Sequence, residues 1–182
     1  MILIISSSLR SESCSRLLAQ EARRVLEQEG HKVALLDLRE TPLPLCDGGP
    51  AYQHPNVARV GELLAQADAL LVATPIYNYD ANAAVKNLIE LTGSGWEDKV
   101  IGFLCAAGGT NSYMSIMSLA NSLMLDFRSV IVPRFVYATS DAFADGRIVD
   151  EEVSQRVAEL ALAAVRLSGL YDGKRGAAIP MA

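Results

Sequence analysis

Short apolar runs alternate with amphipathic helical patterns along the chain, and this alternation constrains the fold more than any other feature. Each run is a few residues long and bounded by turn-forming residues, as expected of a buried strand, and apolar residues at helical spacing follow it. The predicted strands are Met1–Ser6, Lys32–Asp37, Ala69–Thr74, Lys99–Ala106 and Ser129–Val136. The predicted helices are Ser13–Glu29, Val57–Ala67, Ala81–Thr92, Ser112–Phe127 and Glu151–Leu167.

This alternation predicts an α/β fold of three layers, in which helices cover both faces of a doubly wound, five-stranded parallel sheet. The flavodoxin-like strand order 2-1-3-4-5 fits such a chain best, with its switch point between strands one and three. Proline is disfavoured inside strands. We therefore expect Pro75 to stop the third strand, and Pro133 to interrupt the fifth at an edge or a strand end.

A chain of 182 residues suits a single domain with a full core. We expect one domain over residues 1–182, with a mobile tail from about residue 169. The segment Leu38–Asn56 holds four prolines and two glycines and is predicted to be irregular. Loops of this length usually serve a site or an interface.

Charge and hydropathy exclude some functions. The net charge of −5 and the absence of a Lys/Arg run argue against nucleic acid as a partner. No apolar stretch reaches the roughly 18 residues needed to span a bilayer. The chain opens on five apolar residues without a preceding basic region, which is not a signal peptide. We therefore expect a cytoplasmic protein without a membrane partner.

The cysteines and histidines indicate neither a disulfide framework nor a metal site. Cys14, Cys46 and Cys105 are an odd number at wide spacing, and only His31 and His54 accompany them. His54 lies in the long irregular segment and is expected to be solvated. Cys105 ends the fourth predicted strand, where a core thiol is favoured over a redox role.

Serine dominates the turn between the first strand and the first helix. Six of the ten residues from Ser6 to Ser15 are serine, and Arg10 lies among them. Unpaired N–H groups at a helix N-terminus attract anions, while hydroxyl and guanidinium groups add donors suited to phosphate. The alternative is that Ser13 or Ser15 only caps the helix, and that the other serines are solvated.

Two further loops are expected beside the serine-rich turn. Ligands of doubly wound sheets bind beyond the carboxyl ends of the strands. Residues Pro75–Asp80 follow the third predicted strand, and Gly108–Ser112 follow the fourth. The three loops should therefore converge at one edge of the sheet.

The first loop reads Ser8-Leu9-Arg10-x-x-Ser13-x-Ser15. The second reads Thr74-Pro75-Ile76-Tyr77-Asn78 and precedes a helix containing Lys86-Asn87, and the third carries Gly108-Gly109. These sequences resemble those of the NADPH-dependent FMN reductase family, whose members share the flavodoxin-like fold. The three similarities occur in order, and the fold pattern extends from residue 1 to about 168.

The resemblance implies an FMN-dependent oxidoreductase with NADPH or NADH as hydride donor. It implies a small-molecule electron acceptor: a quinone, an azo compound, a metal oxyanion or free flavin. No catalytic side chain is expected, because the flavin carries the chemistry. The implied FMN-binding residues are Ser8, Arg10, Ser13, Cys14 (through its N–H) and Ser15 for the phosphate, Pro75, Ile76, Tyr77, Asn78 and Tyr79 along the isoalloxazine, and Gly108 and Gly109 at its pyrimidine side.

The chain departs from the family pattern at several positions. Ile76 stands where relatives often have an acidic residue, and the run from Asp80 to Ala83 replaces a frequent glycine. Ser7 stands in place of glycine, and Ser15 in place of asparagine. These changes leave the substrate and the nicotinamide preference open. Simpler structural roles also stay open: rim aromatics for Tyr77 and Tyr79, and turn residues for Asn78, Gly108 and Gly109.

Two other functions are compatible with the same fold. A flavodoxin-type electron carrier would bind the flavin without being an enzyme, but such carriers usually present a strongly acidic face, which these loops do not. A flavin-free α/β binding module is the third alternative, because fold alone does not determine function.

The segment Tyr113–Phe127 is apolar over most of its helical circumference and holds three of the five methionines. Such a helix needs burial on more than one side, and methionine is common at adaptable surfaces. We therefore expect a homodimer or homotetramer formed partly by this helix and the helix Ala81–Thr92, as the resemblance also implies. The alternative is that the Leu38–Asn56 segment covers it.

Overall fold

A parallel sheet forms the centre of the molecule in the computed structural model, which describes residues 1–171. Its strands are β1 (Ile2–Ser6), β2 (Val33–Asp37), β3 (Ala69–Tyr77), β4 (Asp80–Ala81), β5 (Val100–Ala107), β6 (Val130–Ile131) and β7 (Val136–Thr139). The order is β2-β1-β3-β5, with β6 and β7 both paired in parallel to the outer edge of β5. If β6 and β7 are counted as one strand, this is the predicted order 2-1-3-4-5.

Five helices cover the two faces of the sheet and complete the predicted three layers. They are α1 (Cys14–Gln28), α2 (Pro55–Gln66), α3 (Ala83–Thr92), α4 (Met117–Phe127) and α5 (Glu151–Leu170). Side chains alternate between the faces along a strand. Ile2 and Ile4 accordingly pack with α1 and α5, whereas Leu3 and Ile5 pack with α2, α3 and α4.

The third strand is longer than predicted. Pro75 does not stop it: β3 continues to Tyr77, and Pro75 lies opposite Ala106 of β5. A short antiparallel hairpin with β4 holds this extension, since Ile76 pairs with Ala81. The missing N–H of proline is therefore tolerated at the point where β3 leaves the parallel sheet.

The fifth predicted strand, Ser129–Val136, is two short strands. The chain breaks between β6 and β7 at Pro133 and Arg134, and Arg134 has φ +59°. Residues 141–150 contain the hairpin of β8 (Phe143–Ala144) and β9 (Arg147–Ile148). A proline followed by a residue with positive φ cannot continue a strand, which explains the break between β6 and β7 at Pro133 and Arg134.

Two helix boundaries differ from the prediction by three residues or more. The pattern Ser112–Phe127 begins as a 3-10 helix, Thr110–Ile116, and becomes α-helical only from Met117. The last helix extends to Leu170 instead of Leu167. The start of the predicted mobile tail therefore belongs to α5, and the tail from residue 172 lies outside the described residues.

The segment between β2 and α2 is irregular, as predicted, apart from one 3-10 turn at Pro50–Gln53. His54 is exposed but also caps α2, because its Nδ1 accepts a hydrogen bond from the N–H of Asn56 at 3.2 Å. Within residues 1–171, no helix has both the length and the apolar character needed to cross a membrane.

Candidate functional site

The carboxyl ends of β1, β3 and β5 lie side by side and bring the three predicted loops together. Ser6 lies opposite Ala73, and Thr74 lies opposite Cys105. The N–H of Ser7 donates to the carbonyl of Ala73 at 2.9 Å, so the first loop begins in contact with β3. The parallel register therefore produces the convergence that the sequence predicted.

Arg16, in the first turn of α1, anchors the first loop. Its guanidinium binds the carboxylate of Asp37 at 2.6 and 3.2 Å. It also donates to the carbonyls of Ser8, Arg10 and Ser11 at 3.1, 2.8 and 2.9 Å. One side chain thus holds three peptide groups of the loop against the end of β2.

The first loop has hydrogen-bonding capacity left over. In the described part of the chain, the N–H groups of Leu9, Ser11, Glu12, Ser13, Cys14 and Ser15 donate to no acceptor. The guanidinium of Arg10 is exposed and has no partner among residues 1–171. The hydroxyl of Ser6, directly before the loop, is buried and likewise unpaired within that range. The unpaired N–H groups and the guanidinium of Arg10 are donors suited to an anion.

The predicted serines of this loop have distinct environments. Ser13 caps α1, because its Oγ accepts from the N–H of Arg16 at 3.3 Å, and its Oγ lies 3.0 Å from that of Ser15. Ser15 and Ser8 are buried, and the Oγ of Ser8 accepts from the N–H of Arg10 at 3.3 Å. A hydroxyl that accepts one hydrogen bond still has a proton to donate, so capping and anion binding are compatible here.

The second loop is a tight hairpin turn. Asn78 and Tyr79 have φ values of +50° and +63°, as the two central residues of a type I′ turn require. Pro75 is part of β3, and Ile76 is buried against the core. Tyr77 and Tyr79 are exposed at the rim of the site. The turn therefore presents two aromatic side chains to solvent beside the first loop.

Asn82 joins the second loop to the first. This buried side chain donates from Nδ2 to the carbonyl of Ser7 at 2.8 Å, and its Oδ1 accepts from the hydroxyls of Ser7 and Thr74 at 2.8 and 3.1 Å. Its Oδ1 also caps α3 by accepting from the N–H of Val85 at 3.4 Å. One amide thus determines how the two loops lie relative to each other.

The third loop is open at Gly108 and Gly109. A Cβ at either glycine would meet no atom within 4 Å, and neither glycine has a positive φ. Neither packing nor backbone conformation requires glycine here, and the backbone at both positions borders open space. Tyr137 of β7 supports the loop, since its hydroxyl donates to the carbonyl of Gly109 at 2.5 Å and lies 2.7 Å from the Oγ of Ser112.

Aromatic and acidic groups border the third loop. The ring of Tyr113 stacks on Phe135 with centroids 5.0 Å apart and meets Tyr137 edge-on at 5.4 Å. Asp141 follows β7, and hydrogen bonds from the Thr139 hydroxyl and from backbone N–H groups lower the pKa of its carboxyl. Asp141 therefore stays ionised at neutral pH.

Comparison with known proteins identifies the family. A family model described as NADPH-dependent FMN reductase matches residues 1–144. The chain belongs to this family. It is 32% identical over 150 residues to an NAD(P)H-dependent FAD/FMN reductase of Geobacillus thermodenitrificans (strain NG80-2), and the alignment covers 81% of this chain and 80% of that relative. It is 27% identical over 181 residues to an NAD(P)H:quinone oxidoreductase of Solanum tuberosum, which covers 93% of each.

Solved structures agree with the fold of this FMN reductase family member. FerB, a flavoenzyme NAD(P)H:(acceptor) oxidoreductase from Paracoccus denitrificans, superposes with a TM-score of 0.77 at 21% identity, covering 93% of this chain and 97% of FerB. A WrbA-like flavodoxin from Agrobacterium tumefaciens superposes with a TM-score of 0.67 at 13% identity, covering 94% of this chain and 98% of that one. At these identities the likeness establishes the flavodoxin-like architecture.

The residues of the family resemblance are brought together, but those that organise the site were missed. Arg16, Asp37, Asn82 and Tyr137 were not among the site residues predicted from the sequence. Asn82 had a visible signal, because asparagine directly before a helical pattern is a favoured N-cap. Arg16, Asp37 and Tyr137 had none, since their contacts depend on how strands and helices meet in space.

Cys105 lies in the core beneath the site of this family member. It is completely buried in β5, and burial raises the pKa of its thiol far above the ordinary range. A thiol that stays protonated is a poor nucleophile. The structure therefore favours the core alternative for Cys105.

Proposed function

We propose that this protein is an NAD(P)H-dependent FMN reductase. The observation that carries the proposal is the convergence of the three loops at one edge of the sheet. The first of these loops contains both the unpaired N–H groups and the free guanidinium of Arg10. Membership of the FMN reductase family supports the same assignment. When bound, FMN supplies the hydride-accepting ring, and the protein supplies binding and orientation.

The first loop fits the phosphate of FMN. We assign the phosphate to the hydroxyls of Ser8, Ser13 and Ser15, the N–H of Cys14 and the guanidinium of Arg10. Free N–H groups at the start of α1 add the favourable end of the helix dipole, and the first turn of α1 has no acidic residue to oppose it.

The second and third loops fit the isoalloxazine ring. We assign one edge of the ring to the turn formed by Pro75, Ile76, Tyr77, Asn78 and Tyr79, whose backbone groups offer donors and acceptors. The space at Gly108 and Gly109 lets the ring approach the backbone closely, which a Cβ would prevent. No side chain of the three loops is assigned a catalytic role.

The substrates follow from this assignment. We propose that NADPH or NADH is the hydride donor and that a small molecule is the acceptor. A quinone is the acceptor class to test first, because relatives named NAD(P)H:quinone oxidoreductases align over nearly the whole chain.

The experiment that tests the function has two steps. The full chain is first titrated with FMN, and binding is followed by the quenching of flavin fluorescence. Oxidation of NADPH and NADH is then followed at their absorbance maximum with a soluble quinone as acceptor. We expect tight FMN binding and FMN-dependent quinone reduction, and free FMN without protein is the control.

The outcomes separate the three candidate functions. Binding of FMN without NAD(P)H oxidation would support the electron carrier, because a carrier needs a partner reductase. Failure to bind FMN would contradict the proposal and support a flavin-free binding module.

We further propose a homo-oligomer, a dimer or a tetramer, assembled through α4. One side of α4 packs on the sheet through Leu119, Ala120 and Leu123. The same helix exposes Met117, Met124 and Leu125, and Leu125 is 77% exposed. The Leu38–Asn56 segment leaves these side chains exposed, and a second copy of the chain is the cover that we propose. Burying such exposed apolar area would stabilise the assembly.

Light scattering tests the assembly. We expect a mass of at least twice 19.5 kDa for the wild-type chain, and 19.5 kDa for the variant Leu125→Glu, which places a charge in the interface. Glu152→Gln, on the exposed start of α5, is the control and should keep the wild-type mass. A monomeric wild-type chain would contradict the oligomer.

The domain organisation and the location are also proposed. We propose that residues 1–182 form one FMN-binding domain, because the described residues are built around one seven-stranded sheet with a core on each face. We propose the cytoplasm as the location, since free thiols such as Cys14, Cys46 and Cys105 suit a reducing compartment.

A further inference from the structure

Arg16 and Arg10 both lie at the first loop, but their hydrogen bonding differs completely. A guanidinium has five N–H donors. The Nε of Arg16 donates to Asp37, Nη1 donates to the carbonyls of Arg10 and Ser11, and Nη2 donates to the carbonyl of Ser8 and to Asp37. All five donors of Arg16 are therefore occupied, whereas the guanidinium of Arg10 is exposed and has no partner among residues 1–171.

The charge of Arg16 is also balanced inside the protein. The side chains of Arg16 and Asp37 are 12% and 15% exposed, so the ion pair is largely withdrawn from solvent. A bidentate carboxylate compensates the guanidinium there. Arg16 consequently has neither a free donor nor an uncompensated charge to offer a bound anion.

The contacts of Arg16 determine which way the loop peptides point. In a trans peptide the carbonyl of one residue and the N–H of the next point in opposite directions, and residues 1–171 contain no cis peptide. Holding the carbonyls of Ser8, Arg10 and Ser11 on Arg16 therefore turns the N–H groups of Leu9, Ser11 and Glu12 away from it. Those N–H groups are among the unpaired donors of the loop.

We propose that Arg16 is a positioning residue, which binds the carbonyls of the first loop so that its N–H groups face the phosphate of the flavin. Arg10 then makes the direct ionic contact, and Arg16 acts only through the peptides that it holds. This inference rests on the proposed function, because it assigns the phosphate of FMN to the first loop.

The test compares FMN with riboflavin, which lacks the phosphate. Dissociation constants of both flavins are measured with the full chain by fluorescence quenching, and their ratio is the phosphate preference. We expect Arg16→Met to lower this preference by about tenfold or more, while its affinity for riboflavin stays within about twofold of wild type. If Arg16 contributed only to stability, its substitution would weaken the binding of FMN and of riboflavin by the same factor.

Arg16→Lys separates positioning from charge. Lysine keeps the positive charge opposite Asp37, but it has three donors and no planar fork, so it cannot hold three carbonyls and a carboxylate at once. We expect the lysine variant to lose most of the phosphate preference as well. It also carries the test if the methionine variant does not fold. Arg23→Met is the matched control, because Arg23 lies on the exposed side of α1 and pairs with Glu27.

Three results would overturn the inference. The first is a phosphate preference in Arg16→Met equal to that of the wild type. The second is an equal loss of affinity for FMN and riboflavin, and the third is a wild-type phosphate preference in Arg16→Lys. If the wild-type chain itself does not prefer FMN to riboflavin, the phosphate assignment of the proposed function fails, and this inference fails with it. A preference that persists without Arg16 would refute this inference alone.

Discussion

The side chain of Asn82 hydrogen-bonds to both the carbonyl and the hydroxyl of Ser7, each at 2.8 Å, although the two residues belong to different loops. A buried amide with this many partners stabilises one arrangement of its neighbours, because any other arrangement leaves polar groups unpaired. The geometry between the first and second loops therefore depends on Asn82.

Asn82→Ala should lower the free energy of unfolding by about 2–3 kcal/mol, because it removes the cap of α3 and leaves the Ser7 carbonyl without its donor. Urea denaturation measures the change. Gln20→Ala, at an exposed position on α1, is the control and should change stability by less than about 0.5 kcal/mol. Equal effects of the two substitutions would contradict the role of Asn82.

Arg10→Ala should weaken FMN binding while leaving the fold intact. The loss of a charge-assisted phosphate contact costs about 1.5–3 kcal/mol, which is roughly a 10-fold to 150-fold change in the dissociation constant. Titration with FMN measures it, and thermal unfolding should be unchanged because the side chain is exposed. Arg59→Ala on α2 is the control, and an Arg10 variant with wild-type affinity would refute the direct contact.

Tyr79→Gly should stabilise the protein by about 0.5–1 kcal/mol, because φ at this position is +63° and only glycine adopts that region without cost. Tyr77→Gly is the matched comparison two residues earlier. It should destabilise by about 1 kcal/mol, because Tyr77 lies in β3, where glycine loses conformational entropy. Chemical denaturation of both variants gives the sign of each change in the free energy of unfolding. Changes of the same sign would show that the turn geometry is not the cause.

Asp141 should make stability depend on acid pH. The pKa of the Asp141 carboxyl in the folded protein lies below its ordinary value of 3.8. The contribution of this group to stability is therefore fully present above pH 3.8 and is lost as the pH falls through the folded pKa. Asp141→Asn should therefore be less stable than wild type at neutral pH, and the difference should vanish in acid. Urea midpoints across this range measure it, with the exposed Asp126→Asn as control. A difference that does not change with pH would contradict the assignment.

Cys105 should be inert to thiol reagents in the native protein, because burial keeps the thiol protonated and inaccessible. Of the three cysteines, only Cys14 and Cys46 are partly exposed. A colorimetric thiol titration should therefore count at most two reactive groups before unfolding and three afterwards. The variant Cys105→Ala should show the same number of reactive thiols in the native state as the wild type. Three rapidly reacting thiols in the native wild-type protein would contradict this prediction and support a redox role for Cys105.

Much of the fold was predictable because it depends on local chemistry. Buried parallel strands must be apolar throughout, and their covering helices must be amphipathic, so the alternation along the chain is visible without a structure. The three loops were predictable for the same reason, since strand ends and helix starts mark where they lie. The strand boundary that failed involves Pro75, whose effect depends on where β3 leaves the parallel sheet. The predicted interruption at Pro133 is confirmed.

The sequence by itself determined the layer architecture and which three segments meet at the edge of the sheet. The tertiary structure alone decided what each polar residue there does. Arg10 and Arg16 are the same residue type six positions apart, but Asp37 at the end of β2 and the carbonyls of Ser8, Arg10 and Ser11 occupy every donor of Arg16, whereas the guanidinium of Arg10 has no partner among residues 1–171. Such roles depend on distances between groups far apart in the chain, and local sequence does not contain those distances.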